Sequence, residues 1–304
     1  MERKTQYPKP TTSKVCMFLS GIFMGNVGIF VTLLSSFSIY TIVLLRGIFG
    51  TIFLTGFMVI SKSLSKDFLK QNFKLHWKYL LLLCITNPLV IFLYFLNISI
   101  TGYAFAAFLL YTSGIFLLLF LIITKEEKIS KINIISFFLA IIGVAIIMEF
   151  WNVNLMSIGI LLGILSGINL ALLVYSKKKI YNYRMKNQQE FKFKGNFDIF
   201  LSWFSTLLLI IFFLPLGMVE LINLNLVDIF ISILLGLIPT ALAFTLYNVG
   251  VKNDKGGSIV ILSYFEPVMA TINTAIFLKN LSIFTIIGGT LILAANIIIL
   301  RFSK

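Results

Sequence analysis

Asn87-Pro88-Leu89-Val90-Ile91-Phe92-Leu93-Tyr94 and Ile238-Pro239-Thr240-Ala241-Leu242-Ala243-Phe244-Thr245-Leu246-Tyr247 each set a proline inside an apolar run and close on Leu-Tyr. Working outward, residues 86–144 can be laid over residues 237–296 at an offset of 151 to 153. Leu109 and Tyr111 then fall on Leu262 and Tyr264, Ser130 on Ser282, Ile134-Ile135 on Ile286-Ile287, and Leu139 on Leu291. The identities are sparse, but their order is kept. A membrane chain that repeats an odd number of spans places its two halves in opposite orientations.

The surrounding composition supports a membrane chain. Of the 304 residues, 59% are hydrophobic, mean hydropathy is +1.01, and apolar runs long enough to cross a bilayer recur from end to end. The pattern predicts an all-α polytopic membrane protein with ten transmembrane helices, at 15–34, 37–61, 77–98, 101–124, 132–150, 156–176, 198–219, 227–249, 257–278 and 283–301. So little chain remains between these spans that no soluble domain is expected. The repeat divides at the short turn Trp151-Asn152-Val153-Asn154, giving a first five-helix repeat at 1–150 and an inverted second one at 151–304.

The formal net charge of +14 would suggest nucleic acid in a water-soluble protein, but its distribution excludes that partner. Every Lys and Arg except Arg46 and Lys279 lies in or at the edge of segments 1–14, 62–78, 125–131, 177–197, 250–256 and 302–304. The alternate connections are almost free of basic residues. Basic residues concentrate in cytoplasmic loops, so the expected topology is a cell-membrane protein with both termini cytoplasmic, in contact with membrane lipids. Segment 177–197 is read as a basic loop that anchors this topology. The polar start followed by a span resembles a signal peptide, but Leu33-Leu34-Ser35-Ser36 is a poor cleavage site, so the segment is expected to be retained.

Small residues mark the first span of each half: Gly21 and Gly25, echoed by Gly159, Gly163 and Gly167. Such ladders let helix backbones approach closely in lipid. Two ionisable side chains lie deep within spans, Arg46 and Glu266, each near mid-bilayer at 1.5 Å rise per residue. Charges at that depth mark a bundle interior or a wet pathway. Three roles stand open for the pair: structural support, substrate binding, and proton coupling through Glu266.

Pro88 and Pro239 occupy matching mid-span sites, and Pro267 has Gly114 as its counterpart. A proline frees the carbonyl four residues earlier, and interrupted helices at corresponding positions of two halves point to a transport site. These four residues are the expected hinges. Polar side chains gather around them: Asn87, Tyr94, Tyr111, Tyr247, Tyr264 and Glu266, with Asn26, Asn169 and Asn273 in the spans alongside. Together with Arg46 these form the expected substrate-binding set. Spans 5 and 10, almost purely aliphatic apart from Asn296, read as peripheral.

No catalytic constellation is visible. The single histidine, His76, sits at a span edge beside Trp77 and is expected at the membrane interface. Cys16 and Cys84 lie within spans with no metal or disulfide spacing, and no phosphate-binding Gly-Lys-Ser/Thr loop exists. No cofactor and no metal are expected. A scaffold or sensor without a cavity, and an intramembrane enzyme, are the alternative classes.

Gly25-Asn26, Arg46 within Leu-Leu-Arg-Gly-Ile-Phe-Gly, Glu127-Lys128-Ile129-Ser130, Glu266-Pro267-Val268 and Gly288-Gly289-Thr290-Leu291-Ile292 together resemble the drug/metabolite transporter superfamily, specifically its EamA-type members. Met24, Gly114 and Lys279 depart from the family's usual tryptophan, proline and glutamate. The resemblance implies an inverted-repeat carrier, monomeric or weakly dimeric. Such a carrier exports or exchanges a small-molecule substrate, often an amino acid, by alternating access.

Overall fold

The computed structural model describes residues 10–125, 131–147, 158–191, 193, 195–252, 260–279 and 281–302. The expected Glu127-to-Ser130 motif and the Trp151-to-Asn154 turn lie outside the described residues. Among the described residues every regular element is helical: α1 (Pro10–Met24), α2 (Val27–Leu33), α3 (Ile39–Ile60), α4 (Lys66–Thr101), α5 (Tyr103–Leu110), α6 (Ser113–Ile123), α7 (Lys131–Ile147), α8 (Ile158–Lys186), α9 (Phe197–Gly217), α10 (Leu226–Gly236), α11 (Ala243–Val251), α12 (Phe265–Asn273) and α13 (Ile283–Phe302). Apolar composition selects helices because a backbone in lipid must satisfy its polar groups internally. Side-chain caps begin several of them. Ser38 accepts from the Thr41 N–H, Ser65 from the Phe68 N–H, and Asn225 forms a reciprocal capping box with Asp228.

Among the described residues seven helical stretches are long and apolar enough to cross a membrane: Thr11–Leu33, Ile39–Ile60, Lys66–Thr101, Tyr103–Ile123, Ile158–Lys186, Phe197–Asn223 and Leu226–Val251. The spans expected at 132–150 and 283–301 coincide with shorter apolar helices, Ile134–Ile146 and Ile283–Ile298. The span expected at 257–278 is described from Val260. The outer faces carry side chains such as Ile85, Ile123, Ile211 and Ile222, which are well exposed; this is the surface a lipid environment accommodates and water does not.

Several helices change character partway. α1 and α2 meet at a turn over Gly25-Asn26, α5 and α6 at Tyr111-Thr112, and α10 joins α11 through a π-helical segment, Leu237–Leu242. A 3-10 segment, Val260–Tyr264, leads into α12, which ends in a second π-helical segment, Thr274–Leu278. Two proline expectations are corrected. Pro88 lies inside α4, which runs unbroken past it. Pro267 falls in the first turn of α12, where the N–H would have no intrahelical partner in any case, so it starts the helix and does not interrupt it. Pro239 does sit within an irregular segment, Leu237–Leu242.

The packing follows a regular scheme. α4 lies along α8, and α1 along α11; α5 and α6 pack on α8, and α12 on α1; α3 pairs with α9, α7 with α13, and α5 with α12. Gly163 lets α8 close on α5: a Cβ there would lie 2.7 Å from the Leu109 Cβ and 2.8 Å from Asn97 Nδ2. Gly25 plays the same part between α1 and α12, where a Cβ would collide with the Met269 side chain and lie 3.1 Å from the Glu266 carbonyl.

Two further readings are corrected. Segment 177–197 is not a loop throughout, because α8 continues to Lys186. His76 is not at an exposed interface. It is 2% exposed, its ring stacked on Phe191 and packed by Tyr183 and Phe197. The physical cause is the same in both places. α4 and α8 extend beyond the apolar runs that define the expected spans, and their ends fold against each other. Arg184 of α8 donates to Asn72 of α4 at 2.6 Å and is sandwiched between Phe191 and Phe197 at 4.0 and 3.9 Å.

Candidate functional site

A cavity of about 100 Å³ lies between α1, α2, α3, α4, α5, α6, α8, α11, α12 and the Val260–Tyr264 segment. Its wall is mostly apolar, with Val27, Val90, Ile91, Leu110, Leu170, Val174 and Phe244 among the residues facing it. The polar groups that line it are Arg46, Asn87, Tyr94, Tyr111, Ser113, Lys177, Tyr247, Ser263, Tyr264 and Glu266. An apolar concavity with a few convergent polar groups is the usual form of a small-molecule site.

Arg46, on α3, is 4% exposed. Its Nε donates to Thr240 Oγ1 at 2.9 Å and its Nη2 to the Pro239 carbonyl at 3.0 Å. Its guanidinium lies between the rings of Phe95 and Phe244, at 5.3 and 5.1 Å. Pro239 has no N–H for the Leu235 carbonyl, and the Thr240 hydroxyl takes that acceptor at 2.7 Å. Arg46 therefore staples α3 to the irregular segment that Pro239 creates. Among the described residues no carboxylate lies within 4.0 Å of its guanidinium.

Glu266, at the start of α12, is 4% exposed. The Tyr111 hydroxyl donates to its Oε2 at 2.7 Å, with the Ser263 carbonyl 3.1 Å from the same hydroxyl. The Tyr111 and Tyr264 rings meet edge to face, centroids 5.0 Å apart. Both tyrosines stand where their helix changes geometry: Tyr111 between α5 and α6, Tyr264 between the 3-10 segment and α12. The carbonyl of Tyr111 at that break is capped from outside, by Asn296 Nδ2 of α13 at 3.0 Å. Helix α13 is thus peripheral in its aliphatic face only, because Asn296 is fully buried. Asn87 lies on α4 beside the cavity and donates to the Ser205 carbonyl of α9 at 2.8 Å.

The cavity therefore brings together Arg46, Asn87, Tyr94, Tyr111, Tyr247, Tyr264 and Glu266. Three expected members do not line it. Asn169 donates to the Leu165 carbonyl of its own helix at 2.9 Å. Asn273 donates to the Gly25 carbonyl at 2.6 Å and lies 3.3 Å from Asn26 Oδ1, so these two amides close the α1–α12 contact at the break in the first span. Of the expected hinge residues, Gly114 lines the cavity and Pro88, Pro239 and Pro267 do not.

Three polar lining residues were not expected, Ser113, Ser263 and Lys177, and the last corrects the count of buried ionisable groups. Lys177, on α8, is 4% exposed and faces the cavity, its ammonium 5.2 Å from the Tyr247 ring and 5.7 Å from the Phe244 ring. A helical-period signal could have found it. Gly163, Gly167, Leu170, Val174 and Lys177 follow one another at intervals of three or four residues, a single face of a helix. Among the described residues no cluster of His, Cys, Asp and Glu could hold a metal ion. The site's groups are hydrogen-bond donors, acceptors and charges suited to binding.

The profile of the EamA-like transporter family matches the chain twice, over residues 12–149 and 157–301. A relative from Archaeoglobus fulgidus, described as an uncharacterized transporter, is 25% identical over 289 residues, covering 95% of this chain and 96% of that one. A solved crystal structure superposes with a TM-score of 0.64 at 11% identity, covering 97% of this chain and 99% of that one; at this identity the likeness speaks to the fold alone.

Proposed function

The chain belongs to the EamA-like transporter family, and from that premise we propose that it carries small metabolites, amino acids or related polar or aromatic solutes, by export or exchange through the central cavity. The observation that carries this reading is the cavity itself: Tyr94 and Tyr111 line it from the N-terminal half and Tyr247 and Tyr264 from the C-terminal half. Residues matched by the internal repeat thus face one space.

The mechanism proposed is alternating access by two inverted five-span halves, 1–150 and 151–304, within ten spans. The helix pairing supports it. Exchanging the first and sixth spans and the third and eighth turns the α4–α8 contact into the α11–α1 contact, and both are present. The same exchange turns the α5–α8 packing into the α12–α1 packing, also present. Two successive matches to one family profile support two copies, and the distribution of basic residues supports cytoplasmic termini in the cell membrane. Rocking would turn on the irregular backbone just before Gly114, around Pro239 and just before Pro267. Glu266 is the candidate proton carrier, since a carboxyl group can shed its charge and a guanidinium cannot.

Uptake by proteoliposomes holding the purified full chain, across a panel of amino acids and related metabolites with and without a pH gradient, tests this reading. Saturable uptake of a panel member above protein-free vesicles is expected. Folded protein that moves none of them would overturn it.

A further inference from the structure

Lys177 has no partner that explains its burial. It lines the cavity at 4% exposure, yet among the described residues it makes no hydrogen bond and no ion pair, only the two ring contacts. An ammonium carries three donors, and a buried charge is ordinarily paired. The other ionisable lining groups do not meet it. Arg46 is engaged by Thr240 and Pro239, and Glu266 receives Tyr111. With Arg46, Lys177 and Glu266 all ionised, the lining holds one positive charge in excess. The Tyr94 hydroxyl, on the same wall and buried at 4% exposure, makes no hydrogen bond within 3.5 Å among the described residues, with the Tyr103 and Glu266 side chains beside it.

We propose that Lys177 is the specificity-determining residue of the cavity and that it receives a carboxylate of the solute. Charge-assisted N–H···O⁻ hydrogen bonds are the strong ones, and one unpaired cation matches one carboxylate. A phosphate monoester, which carries a charge of about −1.5 to −2 at neutral pH, would remain undercompensated. The Tyr94 hydroxyl offers a further donor on the wall, and Val90, Ile91, Leu170 and Val174 receive the apolar remainder. This inference rests on the transport reading above and adds the chemistry by which the solute is recognised.

The test uses the purified full chain in detergent and in proteoliposomes, with matched probes: phenylalanine against phenylalaninamide, threonine against threoninamide, and inorganic phosphate as a competing anion. Thermal stabilisation by at least one acid, at concentrations at least ten-fold below its amide, is expected, with no response to phosphate. Lys177→Met should lose the distinction and Lys177→Arg should keep it. Monodispersity and the ligand-free unfolding temperature show that each variant is folded. Equal response to acid and amide, a stronger response to phosphate, or discrimination that survives in folded Lys177→Met would each overturn the inference. Uptake separates the two levels. Transport that ignores the carboxylate refutes the role of Lys177 and leaves the carrier standing; a folded wild type that neither binds nor moves any probe removes both.

Discussion

Tyr111 donates to the Glu266 carboxylate at 2.7 Å, joining the break between α5 and α6 to the first turn of α12. The contact ties the two spans in which matched tyrosines mark a change of backbone geometry, and it occurs on the wall of the cavity. A single hydroxyl thus couples backbone irregularities in both halves of the sequence.

Tyr111→Phe removes that donor and keeps the ring contact with Tyr264. A hydrogen bond to a charged group contributes about 1.5–3 kcal/mol to stability, so the variant should unfold at a lower temperature, and uptake by the folded, reconstituted variant should fall. Unaltered uptake would show that the hydroxyl plays no part in the transport cycle.

Glu266→Gln keeps an acceptor for Tyr111 and removes the titratable group. If Glu266 carries the coupled proton, uptake by this variant loses its dependence on a pH gradient while exchange of solute across the membrane persists. Uptake measured at several gradients checks this; the wild-type response retained in the variant rules the role out.

Arg46→Leu leaves the Pro239 carbonyl without its charged donor in a buried setting. Unsatisfied buried polar groups cost about 1–3 kcal/mol each, so the variant should unfold at a clearly lower temperature in detergent. Arg46→Lys should rescue little, because a point charge cannot reach Thr240 and the Pro239 carbonyl with the planar fork of a guanidinium. Thermal unfolding of the three proteins side by side distinguishes a staple from a dispensable charge.

Gly163→Leu forces α8 away from α5 and α4. Overpacking of a close contact costs about 1–3 kcal/mol, and the loss should appear as a lower unfolding temperature. The same substitution at Gly56, where a Cβ would meet nothing within 4 Å, should be almost without effect.

Much of this was readable along the chain because lipid imposes strict rules on sequence. Apolar runs, basic segments between them, and Arg46 and Glu266 stranded in apolar surroundings all follow from the cost of burying charge. The aligned tyrosines and Glu266 pointed to the cavity wall because polar groups at that depth need protein partners. Asn26, Asn169 and Asn273 carried the same signal and answer it otherwise, by bonding to helix carbonyls or to each other. Composition does not distinguish an amide that closes a helix contact from one that lines a cavity.

By itself the sequence determined an all-α membrane protein, the matched prolines and tyrosines, and the two deep charges, because each depends on local composition or on period. Only the tertiary structure decided that Pro88 leaves α4 unbroken, that Arg46 is engaged by the segment around Pro239, and that Lys177 turns inward while its neighbours Lys178 and Lys179 remain partly exposed. The reason is geometric. Three consecutive lysines share one composition, but successive side chains on a helix point about 100° apart, and which direction is inward depends on the helices packed around α8.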